Sequence, residues 1–124
     1  MEPEYLQTLI KKPKKKSHLN GSEEDSLDLK ELLKILSQVK NGKLNVRIPI
    51  TQAGINGKIC EVINDIIDIN ERLVNEICTA EKTIGQKGNL SKRLDLPDLK
   101  GEYAVGVKSL NNLITDLTYP MRFH

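Results

Sequence analysis

The sequence predicts an all-α protein that is built as helix, connector, long helix, connector, helix. Two observations carry this prediction. The phrase that starts at Gly42 returns at Gly88, and each copy lies between stretches whose apolar residues have helical spacing. The middle stretch keeps heptad spacing throughout, whereas glycine and proline punctuate each repeated phrase. A unit of this kind usually cannot bury its own apolar face alone.

The composition limits the classes of function. The 124 residues include three tyrosines, one phenylalanine and no tryptophan, so aliphatic side chains must supply the core. A net charge of +2, from 19 basic and 17 acidic side chains, gives no strong attraction to nucleic acid or anionic lipid. No apolar run approaches the ~20 residues that span a bilayer, and the N-terminus lacks the apolar region of a signal peptide. We therefore expect a soluble, cytoplasmic protein.

The two cysteines, Cys60 and Cys78, stand without a Cys-x-x-Cys pair or a neighbouring histidine. This pattern predicts reduced, partly packed thiols rather than a disulfide or a metal site. We expect no cofactor, no metal and no small-molecule substrate.

Residues 1–26 are predicted to be a disordered charged tail. The segment holds five lysines and five acidic residues, and like-charge blocks broken by proline and glycine resist compact folding. Lys11–Lys16 contains all five lysines, so a nuclear-import signal or a nucleic-acid patch is the alternative interpretation. A solvated tail is favoured.

The first helix is predicted to begin near Ser26 or Leu27, with Asp25 or Ser26 as the N-cap. The dipeptide 41–42, Asn-Gly, should end it, because both residues tolerate the left-handed conformation. The apolar residues of this helix are Leu29, Leu32, Leu33, Ile35, Leu36 and Val39.

The first connector alternates apolar and polar residues and contains Pro49, which bars a helix interior. An isolated strand would be unstable, so we expect an extended connector that places alternate side chains in a groove. The alternating residues are Leu44, Val46, Ile48 and Ile50.

The long helix is predicted to run from about Gly57 to Ile84, or roughly 40 Å. β-branched residues at heptad position a with one asparagine favour parallel two-stranded pairing, and extra apolar residues beside them suit a four-helix bundle. Asn70 is predicted to be a buried register-setting contact, the alternative being a surface residue. The predicted dimer seam comprises Ile59, Ile63, Ile66, Asn70, Leu73, Ile77, Ala80 and Ile84.

The second connector lies between Gly88 and Pro97, and a last helix follows that Pro120 is expected to end. The heptad residues of this helix are Tyr103, Val107, Leu110, Ile114 and Leu117. We divide the chain into unit 1 at 27–72 and unit 2 at 73–119, which share the long helix. Residues 120–124 are interpreted as a truncated C-terminal end.

These elements resemble HAMP domains, in particular the tandem HAMP arrays of cytosolic hybrid sensor histidine kinases, over residues 27–119. Two copies in register, each leading into a heptad helix, make the resemblance fairly specific. The phrases that carry it are VKNGKLNVRIPI at 39–50, GKICEVINDII at 57–67, INERL at 69–73, DLKGEY at 98–103 and SLNNLI at 109–114.

The resemblance implies a parallel homodimeric four-helix bundle that relays conformational signals. In each unit a glycine would open the connector, two apolar anchors would follow, and the next helix would carry an asparagine after a core apolar residue. The connector anchors are Gly42, Leu44, Ile48, Gly88, Leu90 and Leu94, and the asparagines are Asn64 and Asn111.

The departures from the family limit the function. The kinases carry a phosphoacceptor histidine and an ATP-binding domain, whereas neither His18 nor His124 has that setting and no phosphate-binding loop is present. Tyr103 stands where these arrays usually carry tryptophan. We expect a relay and dimerisation module of a two-component system without catalysis of its own. The alternative is a static module that pairs with itself or with a related sensor kinase.

Charged residues offer a weaker candidate site. Four carboxylates on the long helix could suggest acid–base or metal chemistry, but a solvated helical face is favoured. Arg47 and Arg93 recur at the same place in both connectors, and we expect each to hold its connector to a helix carboxylate, the alternative being that they bind a ligand. The carboxylates are Asp65, Asp68, Glu71 and Glu76.

Overall fold

The structure is a computed structural model that describes residues 27–122. It has three α-helices joined by two connectors, and the residues it describes contain no β-strand, so the predicted all-α class and order of elements are confirmed. The predictions for the tail, the Lys11–Lys16 cluster and both histidines lie outside the described residues. The helices are α1 Leu29–Lys40, α2 Gly54–Ala80 and α3 Gly101–Arg122.

The chain divides into two compact units between Asp68 and Ile69, four residues before the boundary drawn from the sequence, and from here on unit 1 and unit 2 denote these two compact units. The division lies inside α2, so this helix supplies residues to both units.

Helix α1 begins later than predicted. Its N-cap is Asp28, whose Oδ1 accepts a hydrogen bond from the amide of Glu31 at 3.1 Å, so the expected cap at Asp25 or Ser26 is wrong. The predicted end is confirmed, because Asn41 is the C-cap and Gly42 has a φ of +95°.

The core of unit 1 joins α1, the first connector and α2. Three isoleucines and the thiol of Cys60 fill it. Leu27, Leu32, Val39, Val46 and Ile63 pack around it in partly buried positions. Its buried members are Ile35, Ile48, Cys60 and Ile67.

Helix α2 is longer than predicted at its start and changes form at its end. It begins at Gly54, and a π-helical turn over Glu81–Gln86 follows Ala80. The expected uninterrupted α-helix to Ile84 is therefore wrong. A π turn contains hydrogen bonds from residue i to residue i−5 and is rare outside single turns.

Helix α3 continues through Pro120 to Arg122, so the expected end at Pro120 is wrong. A proline here removes only the hydrogen bond that its amide would donate to the carbonyl of Asp116, and the helix ends two residues later. The buried residues of unit 2 are Ala80, Leu94, Leu99 and Thr118.

Both connectors are extended segments rather than strands. Ile48 and Leu94 are buried, whereas Leu44 and Leu90 are half-buried. Ile50 was expected to be inserted with the alternating residues, but half of its side chain is exposed. Gly88, like Gly42, has a positive φ, at +76°, where the chain leaves the preceding helical segment.

Candidate functional site

In unit 1, the side chain of Asn64 holds the connector to α2. The amide of Ile48 donates to Asn64 Oδ1 at 2.8 Å, and Asn64 Nδ2 donates to the carbonyl of Ile48 at 2.9 Å. One side chain thus satisfies both backbone groups of a buried residue that has no strand partner. We call this pair of bonds the asparagine clamp.

Arg47 fixes the same connector from its other side. Its Nη1 donates to the carbonyls of Leu44 and Val46 at 2.9 and 2.8 Å. Its Nη2 lies 3.4 Å from Asp68 Oδ1, so the predicted contact between this arginine and a helix carboxylate is confirmed. The connector therefore wraps around the guanidinium group of Arg47, and this group also joins the connector to α2.

Unit 2 repeats this arrangement. The amide of Leu94 donates to Asn111 Oδ1 at 2.8 Å, and Asn111 Nδ2 donates to the carbonyl of Leu94 at 3.0 Å. Arg93 Nη1 donates to the carbonyls of Leu90 and Lys92, both at 2.8 Å. The repeat therefore extends from sequence to individual hydrogen bonds.

The two arginines differ in their third contact. Arg93 Nε donates to the hydroxyl of Thr115 at 3.2 Å, so the expected carboxylate partner is wrong for this arginine. Thr115 lies four residues after Asn111, as Asp68 lies four residues after Asn64. Unit 2 thus has a neutral hydroxyl where unit 1 has a carboxylate.

Additional ionic contacts hold the second connector to α2. Glu76 Oε2 accepts from Lys92 Nζ at 3.0 Å and from the amide of Asp95 at 2.9 Å, while Arg72 makes a two-point contact with Asp98 at 3.1 and 2.8 Å. Glu76 was expected on a solvated face, but its side chain is only 19 % exposed, so that prediction is wrong for this residue.

These contacts change the acidity of both carboxyl groups. The hydrogen bonds from the Asp95 amide and from Lys92 stabilise the ionised form and lower the pKa of Glu76 below its ordinary value. The hydrogen bonds from Arg72 likewise lower the pKa of Asp98, which is exposed. Both groups are therefore ionised at neutral pH, as the contacts require.

A close backbone approach distinguishes unit 1. A Cβ atom at Gly57 would collide with the backbone carbonyl of Gln52, so this buried position in α2 accepts no side chain. Gly57 was expected only to start the long helix. A glycine two positions before the first heptad residue, Ile59, was the signal that could have revealed the close approach.

The predicted seam residues lie in different environments. Ile59, Ile66 and Ile77 are 39, 50 and 41 % exposed, whereas Ile63 and Leu73 are half-buried. Asn70 is also half-buried, and its Nδ2 lies 3.2 Å from the hydroxyl of Tyr103 within unit 2.

Ala80 and Ile84, the last two predicted seam residues, line a groove inside unit 2. The groove has a volume of about 290 Å³ and an apolar lining to which Leu94 of the connector contributes. Ala80 is buried there. The remaining apolar lining comes from Ile77, Leu110 and Ile114.

The thiols and the remaining charged groups form no further cluster. Cys60 is buried in the core of unit 1, Cys78 is exposed, and both are free. Within residues 27–122, no group of three His, Cys, Asp or Glu side chains is placed to bind a metal ion.

No protein-family model matches the chain, and a comparison with solved structures gives no significant match. None of the helices described over residues 27–122 is both long and apolar enough to cross a membrane.

Proposed function

We propose that the chain is a HAMP-like relay and dimerisation module of a two-component system, passing conformational change between helical bundles without catalysis of its own. The single observation that carries the proposal is the uncovered apolar face of α2. Three isoleucines at heptad spacing, Ile59, Ile66 and Ile77, each expose about two-fifths or more of the side chain. A second copy of the chain, placed in parallel, would cover them.

The energy of covering this face favours association. Full burial of an isoleucine contributes about 1.5–3 kcal/mol, so each half-exposed isoleucine would contribute about 1 kcal/mol. Leu36 of α1 and Leu113 and Leu117 of α3 are also exposed and would add to the apolar surface. Summed over two copies, this burial amounts to about 12 kcal/mol, which is comparable with the cost of association of about 4–15 kcal/mol.

The connector contacts support the relay part of the proposal. The asparagine clamp recurs in both units, so each connector is fixed to the helix that follows it. Since α2 belongs to both units, a shift of this helix at one connector would be felt at the other. A relay requires two packings that differ by only a few kcal/mol.

Sedimentation equilibrium of the full chain tests the dimer. We expect the wild type to be dimeric at micromolar concentration and Ile66→Glu to weaken dimerisation at least about tenfold, because the charge would be buried at the seam. Val105→Glu is the matched control, since Val105 is 62 % exposed and lies outside the predicted seam. A monomeric wild type at 100-fold higher concentration would exclude the proposal.

A static module is the alternative, and the ionic contacts of the second connector favour it because they hold one packing in place. Such a module would pair with itself or with a related sensor kinase. Cysteines at Ile59 and Ile77, in a background without Cys60 and Cys78, distinguish the two functions. In a fusion to a kinase output, a relay should cross-link at different rates in the two output states, and a static module at one rate.

A further inference from the structure

The π turn at Glu81–Gln86 has a counterpart in unit 1 that is entirely α-helical. Both segments precede a connector that opens with a glycine at positive φ, Gly42 or Gly88. We call the end of α1 the exit of unit 1 and the π turn the exit of unit 2. The hydrogen bonds of the two exits can therefore be compared one by one.

In unit 1, the amides of three successive residues close the end of α1. The bonds run from Asn41 to Ser37, from Gly42 to Val39 and from Lys43 to Gln38, spanning four, three and five residues.

The amides of Asn41 and Lys87 each also bond a carbonyl three residues earlier, that of Gln38 or Ile84, so this bond has the same span in both units. In unit 2, the other bonds of the equivalent amides close the π turn and span one residue more than their counterparts. The bonds run from Lys87 to Lys82, from Gly88 to Ile84 and from Asn89 to Thr83, spanning five, four and six residues. The exit of unit 2 thus contains one surplus residue.

The apolar pattern locates the surplus residue. Ile35 and Ala80 are both buried and lie 45 positions apart, whereas the connector glycines lie 46 positions apart. The other pairs separated by 45 positions are Leu32 with Ile77 and Val39 with Ile84. The extra residue therefore lies between Ile84 and Gly88. Gly85 stands there in open space, so no packing contact demands a glycine.

We propose that the π turn is a one-residue register switch of unit 2. In the register seen here, the turn absorbs the surplus residue and keeps Ile84 in the apolar groove beside Leu94. In the second register, the turn becomes α-helical and the surplus residue passes into the connector. One residue corresponds to a rotation of roughly 100° and a shift of about 1.5 Å, which would displace Leu94 relative to α2. Single π turns inside α-helices are often found at functional sites.

Exchange between two registers is a property of unit 2 itself and does not require the proposed relay. Only the signalling role of the switch rests on that proposed function. If the relay is correct, the switch supplies one of the two packings that it needs. The contacts of Glu76 and Arg72 with the second connector hold the register seen here.

Deletion of Gly85 in the full chain tests the switch. We expect the shortened turn to become α-helical, with amide protection over Glu81–Asn89 rising roughly tenfold because the weaker π bonds are replaced. NMR relaxation dispersion should detect exchange at these residues and at the second connector in the wild type, and the deletion should abolish it.

Deletion of the exposed Asn75 is the matched control. It also removes one residue, but from the α-helical part of α2, where the hydrogen-bond pattern contains no surplus residue. It should unfold unit 2, whereas the deletion of Gly85 should not. A wild type without dispersion, or a loss of protection on deleting Gly85, would overturn the switch. Sedimentation of the same samples reports separately on dimerisation, so a monomeric wild type would exclude the proposed relay while leaving the amide result unchanged.

Discussion

Each unit holds its own copy of the connector, and the two units do so by partly different means. Both use an asparagine clamp and an arginine that binds connector carbonyls. Unit 1 adds a close backbone approach at Gly57, whereas unit 2 adds the ionic contacts of Glu76 and Arg72. The clamp bonds span 16 residues in unit 1 and 17 in unit 2, so unit 2 has one more residue after its connector.

The position of unit 2 that corresponds to Gly57 carries a side chain. Ala104 occupies the position equivalent to Gly57, and the amides of both residues bond the carbonyl four residues earlier at 3.4 Å. A methyl group is thus tolerated in unit 2 where unit 1 excludes it. The difference teaches that unit 1 should respond mainly to changes in side-chain volume and unit 2 mainly to pH and charge.

The largest expected effect comes from removing an asparagine clamp. Asn64→Ala leaves the amide and carbonyl of Ile48 without their side-chain partner, and an unsatisfied buried group costs about 1–3 kcal/mol, so we expect a loss of about 3 kcal/mol. Asn111→Ala should cost less, because the contacts of Glu76 and Arg72 still hold the second connector. Urea unfolding with residue-resolved hydrogen exchange measures both.

Asn112→Ala is the control for the clamp, since Asn112 is exposed and adjacent to Asn111. It should change the free energy of unfolding by less than about 0.5 kcal/mol. If Asn111→Ala proved costlier than Asn64→Ala, the ionic contacts would not be supporting the second connector.

Gly57→Ala should have the next largest effect. Its methyl group would meet the carbonyl of Gln52, which is backbone and cannot rotate away, so we expect a loss of about 2 kcal/mol confined to unit 1. Gly106→Ala is the matched control in α3, because the space around Gly106 is open. That control should stabilise the chain by up to about 1 kcal/mol through helix propensity. Thermal unfolding would show opposite signs for the two variants, and equal signs would refute the steric argument.

Glu76 should make unit 2 sensitive to acid. Because its pKa is lower in the folded chain, the unfolded chain takes up the proton first as the pH falls. Its contribution, about 1 kcal/mol for a mostly buried charged hydrogen bond, is complete above about pH 5 and is lost as the pH falls through the folded pKa. The difference in unfolding free energy between wild type and Glu76→Gln should therefore be present at pH 7 and shrink progressively as the pH falls below the ordinary pKa of a glutamate. A difference that is constant over this range would assign the effect to shape rather than charge.

The sequence was sufficient for the order of helices and connectors because heptad spacing, glycine and proline are local signals. It also located the arginines, which recur at a fixed place in the repeat, whereas the asparagines lie one residue out of that spacing and were indicated by the family resemblance. It did not predict the contacts of Glu76, because a carboxylate on a helix face gives no indication of which loop packs against it. The π turn was missed for a related reason. The apolar pattern continues to Ile84, and only comparison with the exit of unit 1 shows the surplus residue.

The smallest expected effect tests the equivalence of Asp68 and Thr115 directly. Thr115→Asp should give Arg93 the carboxylate that Arg47 has, and Asp68→Thr should remove it from unit 1. Threonine and aspartate have similar helix propensities, so the ion pair dominates the change. Because the Arg47–Asp68 pair is about two-fifths exposed, we expect shifts of only about 0.5 kcal/mol, stabilising in unit 2 and destabilising in unit 1. Both shifts should shrink in 1 M salt, where screening acts within about 3 Å. Shifts of the same sign, or shifts that persist in salt, would mean that the two helix positions are not equivalent. The correspondence between the units would then include the arginine but not its contact with the following helix.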